Sequence, residues 1–89
     1  MLLGDLMARF EDETVALEAL VNLGDLPLTV RVQDRGAEVG MTPGSFIGSC
    51  VRRYVEQASN EEWTTLFGLL SQAVDPGSSF LRRALSQAV

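Results

Sequence analysis

The chain has no histidine, no lysine and a single cysteine. Without histidine, the Ser-His-Asp and Cys-His arrangements of nucleophilic catalysis are excluded. One cysteine with no histidine excludes the usual zinc ligand sets, and Cys50 alone cannot close an internal disulfide. Such sparse cysteine usage leads to the expectation of a reducing, cytoplasmic setting. No apolar run approaches the roughly 20 residues that span a bilayer. The first ten residues hold Asp5 and only one cation, Arg9, so a secretory leader is not expected. The seven cations are all arginine, a usage that fits a GC-rich bacterial genome.

What is present describes a small folded object. Eighty-nine residues make one domain, and 46% apolar with 21% charged residues is ordinary for a globular protein. A chain this short buries a limited share of its surface, so a second copy often supplies the missing core. The charge is uneven. Residues 1–25 carry Asp5, Glu11, Asp12, Glu13, Glu18 and Asp25 against Arg9 alone, so the whole net charge of −5 resides there and the remainder balances.

The clearest element is central. Apolar residues at 46, 47, 50, 51, 54, 55 and 58 follow the spacing of a one-sided helix. Thr42 stands as its N-cap and Pro43 at its first position. The opposite face carries Ser49, Arg52, Arg53, Glu56 and Gln57. Before it, Leu26, Leu28, Val30 and Val32 alternate with polar residues at a strand period. Yet Asp25 followed by Pro27 also reads as a capped helix start. A lone strand would lack a partner, so helix is preferred over 26–39, with strand left open.

Residues 2–22 place Leu3, Leu6, Phe10, Leu17 and Leu20 on a near-heptad seam, interrupted at Glu13. One long helix is expected; Asp12 capping a second short helix is the other possibility. Gly24 sits where a left-handed C-cap residue belongs. Ser59 and Glu62 form a capping-box pattern ahead of Trp63, Leu66, Phe67, Leu70 and Val74. Asp75-Pro76-Gly77 stops that helix. Residues 79–88 then place Leu81, Ala84, Leu85 and Ala88 on one face. The expected architecture is all-α: a small bundle of about five helices in a single domain, 1–89. It has a central helix-turn-helix unit, an acidic N-terminal helix over 1–25 and a helical core over 26–89. Phe46, Ile47, Cys50, Val51, Tyr54, Trp63, Leu66, Phe67, Leu70, Leu81 and Leu85 are expected to be buried together.

No pattern carries catalytic chemistry. Cys50 lies on an apolar helix face, as a small hydrophobe does. Glu11, Asp12 and Glu13 lack the spacing of a calcium loop. Residues 40–44 lack the Gly-Lys-Ser/Thr of a phosphate loop. No catalytic, cofactor-binding or metal-ligating residue is therefore assigned, and no cofactor is expected. Arg52-Arg53 and Arg82-Arg83 could fork onto phosphate, or face solvent paired with Glu56, Glu61 or Glu62. A net charge of −5 opposes nonspecific nucleic-acid binding.

Thr29-Val30-Arg31-Val32, the turn Gly40-Met41-Thr42-Pro43-Gly44-Ser45-Phe46-Ile47 and the basic Arg52-Arg53-Tyr54 together resemble the ribbon-helix-helix DNA-binding family. The family's strand, turn and second helix correspond to these three pieces in order. Only residues 33–39 stand where that family places its first helix. The resemblance implies DNA binding, with Arg52 and Arg53 as the phosphate contacts. The chain is also similar to small all-helical bacterial proteins, which implies no activity.

Taken from sequence alone, the expectation is a non-catalytic helical module for protein interaction or oligomerisation. Its partners would be a second copy of itself, as a homodimer, and a protein of unknown identity. A small DNA-binding transcriptional regulator is the alternative, and no membrane association is expected. The homodimer is expected to form through Leu3, Leu6, Met7, Phe10, Leu17 and Leu20, with Val21 beside them. The seam offers more apolar surface than a small bundle covers.

Overall fold

Asp12 divides the N-terminal segment in two. The computed structural model describes residues 3–88, and side chains from residue 4 onward. Among them are six α-helices and no strand: α1 (Leu3–Phe10), α2 (Glu13–Asn22), α3 (Leu26–Glu38), α4 (Pro43–Gln57), α5 (Asn60–Gln72) and α6 (Pro76–Ala88). The expected five helices become six because 2–22 is not continuous. Asp12 adopts an extended backbone, and its Oδ1 accepts from the amides of Thr14 at 2.9 Å and Val15 at 3.3 Å. That cap satisfies donors which a new helix would otherwise leave open. The break lets Leu6 and Phe10 of α1 and Ala16 and Leu20 of α2 all enter one core.

Segment 26–39 is helix, so Thr29 to Val32 lie inside α3. Asp25 Oδ1 accepts from the Leu28 amide at 3.1 Å, and Pro27 sits in the first turn. Leu28, Val32 and Gly36 form its buried stripe at a spacing of one turn. The far end closes through Gly40 at φ +72°, with Met41 N–H to Gly36 C=O at 2.8 Å and Gly40 N–H to Ala37 C=O at 3.1 Å. These two bonds satisfy last-turn carbonyls in the Schellman manner.

Helix α4 is the axis of the fold and packs against α1, α2, α3 and α6. Thr42 caps it, accepting from the Ser45 amide at 3.3 Å, and donates its own hydroxyl hydrogen to Glu13 Oε1 at 2.6 Å. Two glycines let the α1–α2 corner approach. A Cβ on Gly44 would lie 2.6 Å from the Glu13 carbonyl oxygen, and one on Gly48 would lie 3.1 Å from that of Phe10. Glu13, the residue that interrupts the apolar seam, thus marks the corner itself.

Helix α6 starts at Pro76, earlier than the expected 79. Asp75 caps it, its Oδ1 accepting from the Ser78 amide at 3.3 Å and its Oδ2 from the Ser78 hydroxyl at 2.7 Å. The same Asp-Pro pair therefore ends one helix and begins the next. The earlier start carries Phe80 into the centre, fully buried, with its ring 6.1 Å from the rings of both Phe10 and Tyr54. Most of the expected core is buried: Ile47, Cys50, Val51, Tyr54, Leu66, Leu81 and Leu85. Phe46, Trp63 and Leu70 are half-buried against it. Phe67 is not core; it is 53% exposed, because α5 lies on α6 and turns only Leu66 fully inward. No helix among the described residues is long and apolar enough to cross a membrane.

Candidate functional site

Two features stand out from the packing: a three-helix polar junction with a cleft beside it, and the outer face of α5. The junction joins Tyr54 of α4, Glu62 of α5 and Arg83 of α6. Arg83 Nε donates to Glu62 Oε2 and Nη2 to Oε1, each at 2.7 Å, and the Tyr54 hydroxyl also donates to Oε2. Ser59 fixes Glu62 in place by accepting from its amide at 3.0 Å. The fork of Arg83, then the Tyr54 hydroxyl, holds the Glu62 carboxyl down at about 2. Burial, then the anionic neighbour Glu62, pushes the Tyr54 phenol up to about 12. Arg83 is raised in turn by its hydrogen bonds to Glu62.

Beside this junction opens a cleft of about 330 Å³, lined in part by Cys50, Arg53, Gln57 and Gln87. Burial pushes the Cys50 thiol up, so it stays protonated at neutral pH. A carboxylate near 2 is a poor base, and a phenol near 12 is a poor acid and a worse nucleophile. Tyr54, Glu62 and Arg83 are thus committed to one another, as a structural clamp at the edge of the cleft. Among the described residues no group of three or more acidic or cysteine side chains is placed to hold a metal ion.

The outer face of α5 is of another kind. Trp63 and Phe67, one turn apart, stack with centroids 5.7 Å apart and planes 26° from parallel. Phe67 is exposed, and Val74, just beyond the helix, is wholly exposed. Leu69 is also exposed, and Leu70 lies half-covered between them. Residues 63–74 contain no charged side chain at all.

The residues expected to form a dimer surface are not available as a set. Leu6, Phe10 and Leu20 are 1%, 2% and 0% exposed, because the Asp12 break folds both short helices onto α4. They cannot line an interface without leaving the core. Met7 is half-buried, and Leu17 and Val21 are exposed on α2. The side chain of Leu3 lies outside the described part. Arg52 and Arg53 are both exposed on α4. Of the second arginine pair, Arg83 binds Glu62 as above. Arg82 Nη1 reaches Asp25 Oδ2 at 3.3 Å and its Nη2 the Leu23 carbonyl at 3.4 Å.

Sequence reasoning missed the outer face of α5, reading Phe67 as core. The available signal was the uncharged run itself, longer than one buried stripe needs. Compared with family models, with curated proteins and with solved structures, the chain matches none.

Proposed function

We propose that this protein is a non-catalytic helical interaction module whose docking surface is the outer face of α5. The observation that carries this is Phe67, an aromatic side chain left 53% exposed on a helix segment devoid of charge. Interface cores are enriched in aromatic residues and depleted of charged ones, and contiguous exposed apolar surface marks such sites. The other exposed apolar residues, Leu17 and Val21 on α2, Leu26 and Val30 on α3 and Val39 at its end, are interspersed with Glu18, Arg31, Asp34 and Glu38, as on an ordinary solvated surface. The Glu62–Arg83 pair supports the reading, because it ties the base of α5 to α6 and presents a rigid face, which lowers the ordering cost of binding.

A photo-crosslinking benzoyl-phenylalanine in place of Phe67, expressed in the native host, tests this. Covalent adducts are expected at 67 and none with the same group at the exposed Arg31. Equal labelling at the two positions, or none at 67, would contradict the proposal. A regulator with a helix-turn-helix-like unit is the second reading, favoured only by the exposed Arg52-Arg53 pair.

A further inference from the structure

We propose that the cleft between α4, α5 and α6 is a binding site for a small organic carboxylate, with Arg53 as its counter-ion and Cys50 and Ala84 beneath its apolar body. Phe67 and the outer face of α5 do not line this cleft, and neither reading depends on the other.

The cleft follows from side-chain size and helical spacing. Cys50, Arg53, Tyr54 and Gln57 share one side of α4, and Ala84, Gln87 and Ala88 share one side of α6. Several of the side chains that meet here are small, so about 330 Å³ stays open against the core. That volume lies at the lower end of ligand pockets, and at about 30 Å³ for each water-sized volume it holds roughly ten non-hydrogen atoms. The Arg83 fork on Glu62 and the Tyr54 hydroxyl tie the three helices together at its edge. The walls therefore stand in place before a ligand arrives, which lowers the ordering cost of binding.

Arg53 gives the cleft its sign. Among the described residues, Arg82 and Arg83 have carboxylate partners at 3.3 and 2.7 Å, whereas Arg53 has no ion pair and no hydrogen bond. Glu56, on the same helix, does not line the cleft. Glu62 does, but its carboxylate is already held by Arg83 and Tyr54. Burial pushes the Cys50 thiol up, and the Arg53 guanidinium draws it part of the way back. The cation thus acts over the floor of the cleft.

A monoanion of this size matches the lining. One guanidinium can grip both oxygens of a carboxylate. Gln57 and Gln87 add amide N–H donors from different walls. A phosphate dianion would bring a second charge with no second cation among the lining residues, and with Glu62 there to oppose it. Cys50 and Ala84, both buried, leave a hydrocarbon body apolar surface to pack on.

Titration of the full chain with hexanoate and with benzoate, followed by ¹H–¹⁵N NMR, tests the proposal. Hexanamide and inorganic phosphate serve as comparisons. Saturable shifts from at least one of the two acids are expected at Cys50, Arg53, Gln57 and Gln87, with the side-chain amides of both glutamines included. Leu17 and Phe67 should stay unmoved. Arg53→Gln should weaken binding about tenfold or more, the scale of a charge-assisted hydrogen bond, and hexanamide should show a similar loss in the unaltered chain. Arg52→Gln, which changes an exposed arginine that does not line the cleft, should leave affinity intact. Both arginines are exposed, so a helical CD spectrum is expected to persist in each variant. Saturation by neither acid would overturn the proposal. So would hexanamide or phosphate binding as well as the acids, or equal losses in the two arginine variants. Each of these results leaves the crosslinking at Phe67 untouched.

Discussion

Arg83 grips both carboxylate oxygens of Glu62, at 2.7 Å each, and so joins the last helix to the fifth. Glu62 is depressed to about 2 from an ordinary 4.5. A depressed acid stabilises the fold above its unfolded value and loses that contribution as pH falls through the folded value. Stability should therefore decline from about pH 4.5 towards 2. Tyr54, raised from 10.0 to about 12, acts at the other end: its contribution is complete below 10 and is lost by about 12. Urea midpoints followed across pH read both. Glu62→Gln should cost about 1–3 kcal/mol at pH 7 and flatten the acid limb. An acid limb unchanged in that variant would place the loss elsewhere.

Gly44 and Gly68 are both helical glycines and should respond oppositely to alanine. At Gly44 the new Cβ meets Glu13 backbone and Cβ atoms between 2.6 and 3.0 Å away, so the α1–α2 corner must shift. Gly44→Ala should destabilise by about 1–3 kcal/mol. Gly68→Ala meets open space and should stabilise the single chain by about 0.5–1 kcal/mol. Both are best measured by denaturant unfolding at low protein concentration. The same sign for both substitutions would contradict the packing described.

Phe80 and Phe67 form a second contrast. Phe80 is fully buried between Phe10 and Tyr54, and Phe80→Ala should cost about 3–5 kcal/mol. Phe67→Ala, at concentrations where the chain is monomeric, should cost less than about 1 kcal/mol. A Phe67 loss as large as that at Phe80 would show that α5 is covered within the single chain.

Duplex DNA should give no saturable shift at about 0.15 M salt, since a net −5 chain lacks the cation excess that drives such binding. An electrophoretic shift that weakens steeply with salt and is lost in Arg52→Ala and Arg53→Ala would favour the regulator instead.

Much of this fold was legible because its helices are signalled locally. Thr42 and Pro43, Ser59, and Gly24 each act within one helical turn, and each occupies the cap or terminus its residue type indicates, whereas Glu62, expected to close a capping box, gives its carboxylate to Arg83 and Tyr54 instead. The pairing of an arginine with Glu62 was among the expected possibilities. The Asp12 break was less legible, since a carboxylate in a helix and one that caps a helix have the same local sequence; contact with α4 decides between them. Phe80 was missed because Pro76 was read as a stop, although proline also suits a first turn. Phe67 was assigned to the core because periodicity finds a face and not its cover. A stripe holding 63, 66, 67, 70 and 74 is wider than α6 can bury, and only the tertiary arrangement reveals which edge stays in water. The close approach at Gly44 and Gly48 likewise depends on residues far away in sequence.

The central claim is that α5 presents a docking face. The most direct test is photo-crosslinking from benzoyl-phenylalanine placed at 67 in the native host, with the same group in place of the exposed Val21 as the control. Covalent adducts at 67 and none at 21 are the result the account predicts. Equal labelling at the two positions, or none at 67, would contradict it.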